Sequence, residues 1–335
     1  LGFLIMILLS SMGLIASDWE DEVGVNYAPP TFMGAQSASE RGMSDEAEAE
    51  DRPENPLDPL KDIIRELRAQ EQGGEVVLSD SGVVDPLEKE IAEIRAELAK
   101  KAGVAQVKRL ETLPFGGDKW GHDIIKKTIK GAETSIVVGL VAALLATFLG
   151  TVFGALSGYF GSWVDDFFNW FYSIFTSIPS ILMILTVAAV LQKKGVLTIV
   201  LILGLTGWTG TYRLIRAEYL KHKTREYVMA ADAIGASHWQ KIVSHIFPNV
   251  SHVALVQMSI LVVGFIKSEV ILSYLGFGVP VGTVSWGSML NEAQNELILG
   301  RWWQLAAASI GMAVLVTAFS LFTDALRDAL DPKLK

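Results

Sequence analysis

Residues 134–164 read TSIVVGLVAALLATFLGTVFGALSGYFGSWV, a run without a single Asp, Glu, Lys or Arg. A bilayer core about 30 Å thick is crossed by roughly 20 helical residues, so this stretch is long enough to span it. Within it Ala146, Gly150, Gly154 and Gly158 recur every fourth residue and share one helix face. Small side chains at that spacing let a second backbone approach closely, and helix packing is their expected role.

Outward from this run, stretches free of charged residues cover 1–17, 167–192, 195–212, 242–266 and 302–323, which with 134–164 makes six hydrophobic passes. Gly204, Gly207 and Gly210 form a second, looser ladder in the fourth. The run at 1–17 is short and does not open with Met. It is read as a truncated first transmembrane helix, with a signal-peptide h-region ending near Ala16 as the competing reading. Half the residues are apolar and the mean hydropathy is +0.37, which argues for lipid as the solvent of much of the chain. Cysteine is absent, which removes disulfides, thiolate metal sites and a Cys nucleophile.

Charge sets the expected orientation. The connection between the fourth and fifth passes carries Arg213, Arg216, Lys221, Lys223, Arg225 and Lys241, against only Lys193, Lys194 and Arg301 in the short loops opposite. By the positive-inside rule the 213–241 loop is cytoplasmic, both termini are cytoplasmic, and residues 18–125 lie outside. Residues 18–111 hold 11 Lys and Arg against 23 Asp and Glu, so an acidic segment sits in an otherwise slightly basic chain. Its stretch 28–56, with Pro29, Pro30, Pro53 and Pro56 among Ser, Gly and acids, reads as a mobile linker. Asp58-Pro59-Leu60 and Asp85-Pro86-Leu87 each pair an N-cap carboxylate with Pro at the first helical position. Leu60, Ile63, Ile64, Leu67 and Leu87, Ile91, Ile94, Leu98 follow at spacings of three and four, a near-repeat that closes as a helical hairpin across Gly73-Gly74. Spacer and partner-docking surface are both open as its role.

Catalytic signatures are missing. There is no G-x-x-x-x-G-K-[ST] loop, no H-E-x-x-H and no G-x-S-x-G elbow, and no basic tract suited to nucleic acid. His238, His245 and His252 are seven apart, but Pro248 is expected to interrupt the helix that would align them into a metal site. Ionisable groups inside the passes are few: Lys267, Glu269 and Asp324. Such groups normally face protein or a water-filled path, so Glu269 is a candidate for lining a polar pathway, with a packing hydrogen bond as the other reading. Trp208 and Tyr212 join it as pathway candidates.

The cytoplasmic loop carries the most specific signal. Glu226-Tyr227-Val228-Met229-Ala230-Ala231-Asp232-Ala233-Ile234-Gly235 presents a short helix of low side-chain bulk that fits a cleft in another protein, and Pro248-Asn249 marks the turn into the fifth pass. These residues resemble the cytoplasmic loop of permease subunits of ATP-binding cassette (ABC) importers, which reads E-A-A-x-x-x-G-x9-I-x-L-P. Ala230, Ala231, Gly235 and Pro248 match, while Met229, His245 and Phe247 replace the family's Glu, Ile and Leu. The chain is similar more closely to the second, C-type permease of dipeptide and oligopeptide importers. Supporting stretches are Gly117-Asp118 with Gly121-His122-Asp123, Gly158-Tyr159-Phe160-Gly161 with Val164-Asp165, Glu226-Tyr227-Val228, His245-Ile246-Phe247-Pro248-Asn249, Tyr274-Leu275-Gly276-Phe277-Gly278, Ser285-Trp286-Gly287 and Leu326-Arg327-Asp328-Ala329-Leu330-Asp331-Pro332. In that family the first usually reads G-T-D-x-x-G-R-D, so Gly117 and His122 depart from it. The likeness runs from 113 to 335.

The resemblance implies an all-α membrane protein with six transmembrane helices, a type I ABC importer permease with a helical extracytoplasmic insert at 18–125 and a permease core at 126–335. Its coupling loop, 213–248, would engage the ATPases through Glu226, Met229, Ala230, Ala231, Asp232, Gly235 and Pro248. The implied partners are a second permease subunit forming a heterodimer, two P-loop ATPases, an extracytoplasmic substrate-binding protein and membrane lipid, in the bacterial inner membrane. ATP and Mg would bind the partner subunits, and this chain would hold no cofactor and catalyse nothing. Di- or oligopeptides are the implied cargo; nickel or another small solute, or a proton-coupled secondary transporter with Glu269 as carrier, are the alternatives. ATP-driven movement of the 221–247 loop would switch the helices between inward-open and outward-open packings, with the glycine faces permitting sliding.

Overall fold

The structure, a computed structural model, describes residues 2–34, 109–280 and 282–330. The helical repeat expected between Asp58 and Leu98 lies outside the described residues, as does most of the 28–56 linker.

The described chain is built of helices. A ten-residue helix α1 (Gly2–Ser11) is followed by a 3-10 turn at Thr31–Met33. The longest helix, α2 (Ile124–Phe160), has 37 residues, about 55 Å at 1.5 Å per residue. Asp123 caps it, accepting from the Ile125 and Lys126 N–H groups at 2.8 and 3.4 Å, and Gly161, at φ +64°, ends it. Then come α3 (Ser162–Thr176), α4 (Ser180–Leu191), α5 (Val196–Thr206), α6 (Thr209–His222) and α7 (Glu226–Ala233). A π-helical turn, Gln240–Ile246, leads into α8 (Phe247–Tyr274), and α9 (Trp286–Ile298) and α10 (Trp303–Leu330) complete the order.

Four helical stretches are long and apolar enough to cross a membrane: Ile124–Phe160, Val196–His222, Gln240–Tyr274 and Trp303–Leu330. α3 and α4 make a fifth only if taken together, for they meet at 83° across Ser177-Ile178-Pro179. Pro179 has no N–H to continue the ladder and disfavours helical torsions in the residue before it. The six straight passes expected from composition are thus four or five among the described residues. α1, ten residues long, falls short of a span, and the run at 167–192 is a bent pair.

Three further expectations are corrected. The linker does not begin at residue 28: Ala28, Pro29 and Pro30 are buried, and Gly117 N–H donates to the Ala28 carbonyl (2.8 Å) while Thr31 N–H donates to that of Leu113 (2.9 Å). This apolar tripeptide packs on Leu113 instead of staying in water. The 213–248 connection is not one loop, because α6 carries Arg213 and Arg216 and ends only at His222. Nor does Pro248 break the helix that follows. The preceding turn widens to π spacing, with Phe247 N–H donating to the Ile242 carbonyl, so the ring sits in the first turn of α8 without an i−4 bond to destroy. Residues Gln240–Tyr274 run as one helix; among the described residues no group of His, Asp and Glu is placed to hold a metal.

α2 runs through the centre, packed on α5, α6 and α8. Its small-residue face meets α6 so closely that a methyl group on Gly150 would lie 2.6 Å from Thr211 Cβ, one on Gly154 2.8 Å from the Tyr212 carbonyl oxygen, and one on Gly158 2.7 Å from that of Arg216. The second ladder also packs: Gly204 against Leu145 and Gly207 against Phe265, whereas Gly210 has room. Arg216 clamps the end of this pair, its Nε and Nη2 donating to Asp165 at 2.6 Å each.

Candidate functional site

The α7 helix has two opposed faces. Val228 is buried in a small apolar cluster with Ala155, Ile215, Tyr219, Ile242, Ile246 and Val250, and Ala231 on the same helix is buried as well. Glu226, Met229, Ala230 and Asp232 are exposed on the other side, and Ile234 at its tip is 85% exposed. An exposed isoleucine at a protruding turn is what a partner's cleft would cover. Tyr227, Trp239 and Val243 extend the apolar exposure around it.

Local chemistry fixes this shape. Gly235 adopts φ +82°, its N–H donates to the Asp232 carbonyl (2.9 Å), and Ala236 N–H donates to that of Ala231 (3.0 Å), a Schellman stop for α7. Ser237 and Gln240 then start the next helix by reciprocal capping: Ser237 N–H donates to Gln240 Oε1 (2.8 Å) and Gln240 N–H to Ser237 Oγ (3.3 Å). Lys241 pairs with Asp232, whose carboxyl the bond holds below the usual carboxylate range. Tyr219 Oη donates to the Ile242 carbonyl at 3.1 Å, and the Tyr159 hydroxyl bonds His238 Nδ1 at 2.9 Å, tying the unit to α6 and to the end of α2. Pro248 lies exposed in the first turn of α8, apart from the α7 tip in sequence but on the helix that carries the anchoring Val250.

The pathway candidates are placed differently. Glu269 is 0% exposed, its two oxygens accepting from Ser135 and Ser273 hydroxyls at 2.7 Å each. Trp208 and Tyr212 are likewise buried, stacked among Phe153, Phe168, Phe171 and Phe175. All three groups are buried in the interior of this chain.

A second polar centre escaped the reading by passes. Lys127 on α2 is 3% exposed and donates to Asp118 (2.7 Å), Glu292 (2.6 Å) and Gln304 (3.4 Å), joining the loop before α2 to α9 and α10. Asp118 also accepts from the Trp120 and His122 backbone N–H groups and meets His122 Nδ1 at 2.9 Å. Burial would raise its carboxyl, but Lys127 and these bonds hold it below the ordinary range. Near this network Glu296 is 2% exposed with neither oxygen hydrogen-bonded, and burial pushes it up to about 7. The Gly117-Asp118 motif was the available sequence signal; its partners on α9 are some 170 residues away.

The model of the family described as binding-protein-dependent transport system inner membrane component matches residues 150–335. The dipeptide transport system permease protein DppC of Bacillus subtilis is 34% identical over 221 residues, 66% of this chain and 69% of the relative. The oligopeptide transport system permease protein OppC of the same organism is 37% identical over 221 residues, 66% and 72% respectively. OppC of Salmonella typhimurium is 36% identical over 219 residues, 65% and 72%. A chain of the MetNI methionine ABC transporter, solved in inward-facing conformations, is similar at TM-score 0.49 and 15% identity, covering 61% of this chain and 96% of that one. The match spans α7, its apolar cluster and all the helices from the end of α2 onward, and the chain belongs to the family of binding-protein-dependent transport system inner membrane components, the membrane-embedded permeases of ABC importers.

Proposed function

We propose that this chain is the permease subunit of an ATP-driven importer of di- or oligopeptides, pairing with a second permease and coupled through α7 to two separate ATPases, with an extracytoplasmic binding protein delivering cargo. The observation that carries the reading is the α7 tip: Ile234 and Met229 stand 85% and 56% exposed while Val228 and Ala231 anchor the opposite face. A short helix held this way transmits a push on its tip to α6 and α8 as a lever, and needs no acid at position 229 to do so. ATP would be hydrolysed on the partners, and alternating access would follow from two helix packings that ATP and the loaded receptor bias. The peptide cargo is supported by what the relatives' names say those proteins transport.

Affinity purification from native membranes tests this, comparing wild type with Gly235→Trp. A Cβ at 235 meets nothing of this chain within 4 Å, so beyond the strain of a left-handed residue at φ +82° the variant's indole extends from an open position where a partner would meet it. Recovery of a P-loop ATPase and a second permease with wild type, and loss of the ATPase from the variant, is the expected result. Absence of an ATPase from a folded wild-type preparation, with uptake abolished by a protonophore, would overturn it in favour of proton coupling.

A further inference from the structure

A sharp helix bend and a slight interruption meet in one place. α3 gives way to α4 at Ser177–Pro179 with an 83° bend, and within the single stretch Val196–His222 α5 passes into α6 through a two-residue turn at Gly207-Trp208. Between these two points and α8 lies a cavity of about 400 Å³, open at the surface of the chain and lined on its polar side by Thr176, Ser180, Thr206, Thr209 and Ser268, with Gly264 between them. No charged residue lines it. α3 has 15 residues and α6 has 14, so the cavity stands about 21–22 Å along both helices from the end that carries α7, within a core about 30 Å thick.

Its hydroxyls have a defined polarity. Thr176 donates to the Tyr172 carbonyl (3.1 Å), Thr206 to that of Ile202 (2.7 Å) and Ser268 to that of Gly264 (3.0 Å). With those protons spent inside their own helices, the oxygens offer lone pairs to the cavity. The complementary ligand is neutral and rich in N–H donors. A peptide main chain has that chemistry, and a site without fixed charge does not read side-chain charge.

An independent observation bears on what covers this face. Lys267 is exposed on α8 in one stripe with Ile260, Gly264, Ile271 and Tyr274, two turns inside the helix end. An ammonium held against lipid is costly, so this stripe borders water or protein. A bend such as Ser177–Pro179 at membrane depth is tolerated in the same setting, where non-helical backbone lines a cavity.

We infer that this cavity is a subsite for the peptide backbone on the translocation path, in which Thr176, Thr206 and Ser268 accept main-chain N–H groups of passing cargo. The inference rests on the peptide-importer reading above. It moves the path from Glu269, Trp208 and Tyr212 to their immediate neighbours, Ser268 and Thr209, which point outward.

The test uses cells carrying the whole importer, with tri-alanine as probe. A side chain at Gly264 meets no atom within 4 Å of its Cβ, so Gly264→Trp fills the cavity without displacing the fold; abundance and co-purifying chains should stay at wild-type levels while uptake is lost. Because the chain has no cysteine, Met183→Cys, on the apolar wall of the cavity, gives it a single thiol. Uptake should persist, a membrane-impermeant methanethiosulfonate should modify the thiol, and peptide at about four times its Kd during turnover should slow modification about fivefold, as site occupancy requires. Wild-type uptake by Gly264→Trp, an unreactive thiol, or a modification rate indifferent to peptide would overturn the subsite alone. A wild type that takes up no tri-alanine would overturn the peptide reading and the subsite with it.

Discussion

Substitution of Gly235 separates backbone strain from packing at the end of the coupling helix. The residue sits at φ +82°, and a Cβ added there meets nothing within 4 Å, so no substitution incurs a clash inside the chain. What it incurs is the left-handed conformation itself, about 1 kcal/mol for Ala and about 2 for a β-branched residue, with Asn cheaper than either. The bonds at stake are the two that stop α7, Gly235 N–H to Asp232 and Ala236 N–H to Ala231, while Val228 and Ala231 remain buried. One kcal/mol lowers the population of the correctly stopped helix about fivefold and moves Tm by about 2–4 °C in a chain of this class, too little to unfold it. Thermal unfolding of detergent-solubilised Asn, Ala and Val variants should therefore show a graded loss in that order. ATPase retention on affinity purification should fall in the same order. Equal Tm values for Ala and Asn, or a loss at Ala larger than any at Gly154→Ala, would refute the assignment of the cost to backbone strain.

Other outcomes follow from the geometry. Gly154→Ala forces a methyl to 2.8 Å from the Tyr212 carbonyl oxygen and should cost about 1–3 kcal/mol in thermal unfolding, whereas Gly210→Ala, 3.4 Å from its nearest neighbour, should be neutral or slightly stabilising. Lys127→Met strands Asp118 and Glu292 and should destabilise by about 3–5 kcal/mol, with part of that loss recovered when Asp118→Asn is added; purely additive effects would sink the network. Glu296, raised from 4.5 to about 7, contributes stability that is fully present below 4.5 and lost as pH rises to about 7. Glu296→Gln should accordingly gain about 1–2 kcal/mol on wild type between pH 5 and pH 8, read as a growing Tm difference, and a pH-independent difference would count against a buried, unpartnered carboxyl.

Much of this protein is legible without coordinates, and the reason is the solvent. Runs free of charge announce helices because lipid satisfies no backbone polar group, and a four-residue glycine period announces close packing because only a missing Cβ admits a second backbone. The Ala230, Ala231, Gly235 and Pro248 spacing marks the coupling segment for a similar reason, since a helix that stops in the left-handed conformation asks for Gly. Direction is harder. Hydropathy assigns residues to a helix, not to a face, and so Glu269 and Trp208 stand as pathway candidates although the chain buries them, while Ser268 and Thr209, one position away, line the cavity. The bend at Ser177-Ile178-Pro179 sits inside a run whose composition reads as one straight pass, because a single proline leaves mean hydropathy unchanged.

Tertiary structure alone decided the polar centre at Lys127. Its three partners come from the loop before α2, from α9 and from α10, and no periodicity relates positions 118, 127, 292 and 304. A lysine beside Lys126 and Lys130 at the start of an apolar run reads as part of a solvated end; three acceptors converging within 3.4 Å make it a buried junction. The same holds for the coupling helix. That it exists was written in its residues, whereas which side turns outward was settled only when Val228 found Ile215, Tyr219 and Ile246 to pack against, leaving Met229 and Ile234 exposed.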